Sequence, residues 1–161
     1  TVLEANVDDL DPRLWPGVIE RLLHAGAADA WLTPIVMKKG RPAHVLSTLC
    51  PPELSGPLQQ VILEHTSTLG IRSHEVSRTA LSRGWCIVEI ASAASTADVR
   101  IKIGYDSSGI RQVNPEFADV ARVAAACQLP EREVLAFAYA AARNAGLVVG
   151  AAPPADLQTI R

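Results

Sequence analysis

The chain has 161 residues, a formal charge of −2, 48% hydrophobic residues and 20% charged residues. That is a soluble globular composition, long enough for one domain or two small lobes and able to bury roughly 70% of its unfolded surface. No run of about 18 apolar residues occurs, so no membrane span is expected; no signal peptide is visible, and the mild acidity argues against a nucleic-acid surface.

"VLEANVDDL" (2–10) reads as a strand that ends in acids. Asp11-Pro12 follows as an N-cap with proline at the first helical position. Leu14, Trp15, Val18, Ile19, Leu22 and Leu23 recur at helical spacing, and Gly26 closes that helix. "AWLTPIVM" (30–37) and "AHVLSTLC" (43–50) read as two strands flanking "KKGRP". Pro51-Pro52-Glu53 opens a second helix carried by Leu58, Val61, Ile62 and His65, and "STLGIRSHEV" (67–76) turns at Gly70 into a fourth strand. The order β-α-β-β-α-β is the ferredoxin-like pattern.

The second half reads as a hairpin, "WCIVEIA" (85–91) and "DVRIKIG" (98–104), joined by small residues. "YDSSGIRQV" (105–113) reads as a loop. Asn114-Pro115 reads as the cap of a third helix whose apolar side holds Val120, Ala121, Ala124 and Cys127. Leu129-Pro130-Glu131 opens a fourth, ending near Asn144-Gly146. The expected fold class is α+β: a ferredoxin-like lobe (1–77), a lobe of hairpin plus helices (78–149), and a loosely held polar tail (150–161). The chain opens at Thr1 directly on a strand, so a piece of a longer protein is expected.

Cys50, Cys86 and Cys127 are odd in number, far apart and set in apolar runs. They fit free thiols in a reducing cytoplasm. His24, His44, His65 and His74 show no metal-ligand spacing, and no serine-hydrolase, thiol-nucleophile or P-loop motif is present.

Three groups carry possible chemistry. Lys38, Lys39 and Arg41 surround a glycine between two strands; such a loop suits phosphate, with lysine as point charge and arginine as two-pronged donor. Its plain alternative is a solvated hairpin tip. Glu4, Asn6 and Asp8 alternate on one strand face and Asp9 follows; oxygen ligands at this density suit a hard divalent ion. The alternative is acids favoured by a helix N-terminus, which explains Asp11 better than Glu4 or Asp8. Thr66, Ser67 and Thr68 precede Gly70 and Arg72, with Arg78 and Arg83 further on; hydroxyls at a glycine turn offer donors to an oxyanion. The alternatives are a helix C-terminal cap and surface ion pairs. From the residues alone, the chain suits an anion held with a divalent cation.

In order along the chain, "EANVDDLDP", "TPIVMKKGRP", "TSTLGIR", Arg78-x-x-Leu81-x-Arg83, "VRIKIG" and "NPEFADV" resemble the C-terminal part of the LarC family, nickel insertion proteins of lactate racemase maturation. The resemblance spans about residues 2–145. It implies a CTP- and divalent-metal-binding domain of a nickel-inserting lyase that makes the nickel-pincer nucleotide cofactor. CTP would be a substrate, with Mn²⁺ or Mg²⁺ and, in the intact protein, nickel. Lys38, Lys39, Arg41, Ser67, Thr68 and Arg72 then match phosphate contacts, with Arg78, Arg83 and Lys102 as further candidates. Glu4, Asp8 and Asp9 would touch the ion or its waters. The family's additional N-terminal domain lies outside this sequence and is an implied partner, so complete nickel insertion by this chain alone is not expected.

Two other readings are open. A regulatory or assembly module would use the Ala-rich "VLAFAYAAARNAGLVV" (134–149) as a subunit contact. RNA binding is weakened by aromatics that do not cluster on a strand.

Overall fold

The computed structural model describes residues 1–91 and 96–159. The small-residue turn expected between the hairpin strands lies largely outside these. Contacts divide the chain into two units, Thr1–Arg78 and Thr79–Arg161.

In the first unit, strands β1 (Val2–Val7), β2 (Asp29–Met37), β3 (Arg41–Leu49) and β4 (Arg72–His74) form one sheet in the order β2-β3-β1-β4. The recorded pairings are all antiparallel. With helices α1 (Trp15–His24) and α2 (Ser55–His65), this is the expected ferredoxin-like arrangement. Leu3, Ala5, Val7 and Leu46 pack against Trp15, Val18, Leu22, Leu58 and Ile62 in a dry core. The period of two in the strand and of three to four in the helix makes that packing possible.

Local chemistry sets the helix ends. Asp11 accepts the Arg13 backbone N–H and starts a 3-10 turn, Pro12–Leu14, that leads into α1. At the other end, Gly26 N–H donates to Leu23 O and Ala27 N–H to Leu22 O. That closure needs a left-handed residue, and Gly26 has φ +98°. α2 likewise follows a 3-10 turn, Pro52–Leu54.

The second unit holds β5 (Ser82–Ala91), β6 (Thr96–Asp106), β7 (Gly109–Pro115) and β8 (Gln158–Thr159) in the order β7-β6-β5-β8. Helices α3 (Phe117–Cys127) and α4 (Glu131–Asn144) supply the rest of its core. Val99, Ile101, Ile103 and Ile110 pack with Val120, Val123, Val134 and Ala138.

Three expectations change here. Strand β1 ends at Val7 rather than Leu10, so Asp8 and Asp9 stand just beyond the sheet. The stretch read as a loop after Gly104 is a hairpin: β6 runs to Asp106, and β7 begins at Gly109. Asp106 accepts the Ser108 N–H to tighten that turn. Asn114 and Pro115 therefore belong to β7, and Glu116 precedes α3 instead.

In the C-terminal segment, Ile110 N–H donates to Ala151 O and Gly150 N–H donates to Ile110 O, both at 2.8 Å. No helix among the described residues is long and apolar enough to cross a membrane.

Candidate functional site: the rim at the end of strand one

In unit 1 the helices cover one face of the sheet, and Glu4 and Asn6 point to the other. Register pairs Glu4 with Arg72 of β4. Arg72 Nη2 donates to Asn6 Oδ1 at 2.9 Å, and its Nε lies 3.7 Å from Glu4 Oε2. The acidic strand face and the first arginine of the hydroxyl block are thus joined.

The other two groups meet at the end of β1. Asp8 accepts Arg41 Nη1 at 3.0 Å. Its neighbour Asp9 accepts the Ser67 hydroxyl. Two consecutive carboxylates therefore hold the basic loop and the hydroxyl loop at one end of one strand. The hydroxyl loop is also stitched internally: Thr66 Oγ1 donates to Ile62 O at 2.8 Å and Thr68 Oγ1 to Gly70 O at 2.9 Å. The helix-cap reading of "TSTLG" is correct for Thr66, which closes α2. Ser67 reaches instead toward Asp9.

The basic loop is a 3-10 turn, Lys38–Gly40, and Lys39 sits in it at φ 64°, ψ 19°. This left-handed conformation is uncommon for a residue with a Cβ. Lys38 and Lys39 are exposed and have no ion-pair partner among the described residues, whereas Arg41 is compensated by Asp8. Lys38 and Lys39 are thus the cations of this rim without an acid partner, and Asp9, bonded to a neutral hydroxyl, is its acid without a cation.

A cleft of about 490 Å³ opens beside Ser67, lined among others by Leu10, Val18, Arg21, Glu64 and His65. Arg21 was not singled out by sequence reasoning. It lies within an amphipathic helix, where a lone cation reads as a solvated position.

Among the described residues, no group of three or more His, Cys, Asp or Glu side chains forms a metal-holding cluster. Glu4, Asp8 and Asp9 each face a different partner. Their oxygen chemistry suits a divalent ion that arrives with phosphates and needs one or two carboxylates, not an all-protein cage.

Three further expected contacts remain, Arg78, Arg83 and Lys102. Arg78 is the last residue of unit 1. Arg83 is on β5 and Lys102 on β6, both on unit 2. Cys86 and Cys50 have thiols pushed up by burial, which suits packing rather than nucleophilic chemistry.

Two antiparallel sheets with four helices, the first sheet in ferredoxin-like order, define an α+β protein with the fold of the LarC C-terminal domain. Residues 1–135 match the family model described as nickel insertion protein, and the chain belongs to that family. It is 44% identical over 142 residues to the pyridinium-3,5-bisthiocarboxylic acid mononucleotide nickel insertion protein of Nocardioides sp., covering 88% of this chain. It is also 44% identical over 140 residues to a putative nickel insertion protein of Myxococcus xanthus, covering 87% of this chain. The chain spans 35% of the length of each of these relatives. Among solved structures, it resembles LarC2, the C-terminal domain of a cyclometallase involved in synthesis of the NPN cofactor of lactate racemase. That match has a TM-score of 0.81 at 34% identity and covers 88% of this chain and 95% of that one. A Methanopyrus kandleri protein shares the fold at a TM-score of 0.63 and 23% identity, covering 87% of this chain and 84% of that one.

Proposed function

We propose that this chain is the CTP- and divalent-ion-binding part of a nickel insertion enzyme, acting with a further domain that supplies the rest of the reaction. The observation that carries this reading is the paired attachment of Arg41 to Asp8 and of Ser67 to Asp9. It supports a single rim where Lys38 and Lys39 take the outer phosphates, Arg41 and Arg72 complete the charge, and Ser67 and Thr68 offer hydroxyl donors.

Mn²⁺ or Mg²⁺, when bound, would neutralise phosphate charge. Asp8, Glu4 and Asp9 are the candidate carboxylates to meet it; Asp8 and Glu4 are each shared with an arginine, and Asp9 is bonded to the Ser67 hydroxyl. The cleft beside Ser67 has the volume of a small-molecule site, enough for a ribose and base.

The other substrates are nickel and a pyridinium bisthiocarboxylic acid mononucleotide, the molecule in the name of the Nocardioides relative. Nickel favours imidazole and thiolate donors. Nickel is read here as a substrate of the intact enzyme. Arg78, Arg83 and Lys102 stand as additional anion contacts.

Calorimetric titration with CTP, with and without Mn²⁺ and with ATP as control, tests the reading. Metal-dependent binding that prefers CTP and is lost in Lys39→Glu supports it. Undiminished binding by Lys39→Glu removes the loop from the site.

A further inference from the structure

Unit 2 has an open sheet face of its own. Its core side is filled by Val88, Ile90, Val99, Ile101 and Ile103 with α3 and α4. On the opposite side the register aligns Gln158, Trp85, Lys102 and Asn114 in one row across all four strands. One neighbouring row holds Arg83, Gly104 and Gln112; the other holds Ile87 and Arg100.

Lys102 Nζ lies 5.2 Å from the centre of the Trp85 ring, and Arg100 Cζ lies 5.4 Å from it. The two cations differ. Arg100 is held by Asp119, Nε to Oδ2 at 2.7 Å, so its charge is compensated. Lys102 and Arg83 have no ion-pair partner among the described residues. Of the acids on this face, Glu89 and Asp98 align opposite each other two rows from Trp85, about 13 Å away at strand rise, and Glu116, whose N–H donates to Arg100 O, stands beside Arg100 in the row next to Trp85. A tryptophan ring is thus bordered by unpaired positive charge and by the amides of Asn114, Gln112 and Gln158.

Cross-strand packing accounts for the Lys102–Trp85 contact by itself. It does not account for Arg83 without a partner, three amides in adjacent rows and Ile87 at 58% exposure on the same face. Flat rings with anionic substituents use these features together: a face to stack on, a cation for the anion and amides for the ring edge. A nucleic-acid strand needs successive aromatics, and this face offers one.

We propose that the Trp85 face binds a single mononucleotide, its flat ring on Trp85, its anionic groups at Lys102 and Arg83. This rests on the reading of the chain as part of a nickel insertion enzyme, and it assigns the enzyme's aromatic mononucleotide a place on unit 2, with CTP read at the rim of unit 1.

The test uses nicotinic acid mononucleotide, a pyridinium ring with one carboxylate and one phosphate, titrated into the chain by calorimetry and tryptophan fluorescence. Saturable binding is expected, with fluorescence quenching that disappears in Trp85→Leu. Affinity falls about tenfold or more in Trp85→Leu and several-fold in Lys102→Gln, survives in Trp85→Phe, and is unchanged in Lys39→Glu. Retention in Trp85→Phe separates loss of the ring from loss of the fold. Absence of binding, unchanged binding in Trp85→Leu, or loss in Lys39→Glu with Lys102→Gln intact would overturn the proposal. So would tighter binding of single-stranded RNA than of the mononucleotide. A parallel CTP titration keeps the two readings apart: CTP failing while the mononucleotide binds refutes the rim and leaves Trp85 standing.

Discussion

Asp8 and Arg41 are 33 residues apart in the chain and 3.0 Å apart in the fold. Their side chains are 25% and 59% exposed, so the pair contributes at most about 1 kcal/mol to stability. Its effect is positional: it draws the basic loop onto the end of β1. Arg41→Ala is expected to keep the unfolding free energy within about 1 kcal/mol of wild type and to weaken CTP binding. Asp8→Asn is expected to tighten metal-free CTP binding, because a carboxylate no longer opposes the phosphates, and to blunt the gain from Mn²⁺. Titrations of both variants with and without the ion read this directly. Identical Mn²⁺ dependence in Asp8→Asn and wild type would take Asp8 away from the ion.

Lys39 holds a left-handed backbone that costs a non-glycine residue about 1–2 kcal/mol. Glycine removes that cost but gives the unfolded chain more freedom. Lys39→Gly is therefore expected to change stability by no more than about 1 kcal/mol, toward stabilisation, while CTP affinity falls. Urea denaturation alongside CTP titration gives both numbers. A clearly destabilised Lys39→Gly would mean the lysine side chain supports the fold rather than a ligand.

Asp119 is buried on α3 and accepts both the backbone N–H and the Nε of Arg100. The Arg100 guanidinium bond, ahead of the backbone bond, holds its carboxyl below the ordinary value of 3.8. A lowered folded pKa gives stability that is present above the ordinary value and lost as pH falls through the folded one. Asp119→Asn should thus cost about 1–3 kcal/mol at neutral pH. The difference from wild type should narrow once pH drops below 3.8. Urea unfolding at pH 7, 5 and 3 checks it; a gap that stays constant would show that the ionised carboxylate is not what matters.

Gly109 starts β7 at φ +112°, and a Cβ there would stand 2.6 Å from Ala151 O and 3.0 Å from Gly150 O. Both obstacles are backbone, and both residues are bonded to Ile110. Gly109→Ala is expected to cost more than about 1 kcal/mol and to raise hydrogen exchange at Ile110 and Gly150 above that elsewhere in unit 2. Uniform exchange across the unit would contradict a local clash.

Much of the ferredoxin-like unit was legible because its signals are local. Trp15, Val18 and Leu22 recur at helical spacing, and Gly26 marks a helix end that only a left-handed residue closes. Strand β7 was not legible. Ile110 is its one fully buried large apolar side chain; Arg111, Gln112 and Asn114 face outward, so its strand character comes from pairing with β6. The acids and cations of the rim were readable as separate groups. Their pairing was not, because Asp8 with Arg41 and Asn6 with Arg72 are joined by register between distant strands. The row through Trp85 and Lys102 was hidden for the same reason: it exists only once four strands are aligned.

The rim of unit 1 is tied by exposed ionic contacts, Asp8 to Arg41 and Glu4 to Arg72, while its core is tied by apolar packing. These two kinds of bond answer differently to dissolved salt, whose screening length is about 8 Å in physiological conditions and about 3 Å at molar concentration. Salinity thus acts on the mouth of the site without touching the scaffold. In dilute buffer the ion pairs hold the Arg41 and Arg72 side chains against the carboxylates of β1; in brine that pull weakens, while the strand ladders and helices stay paired and packed.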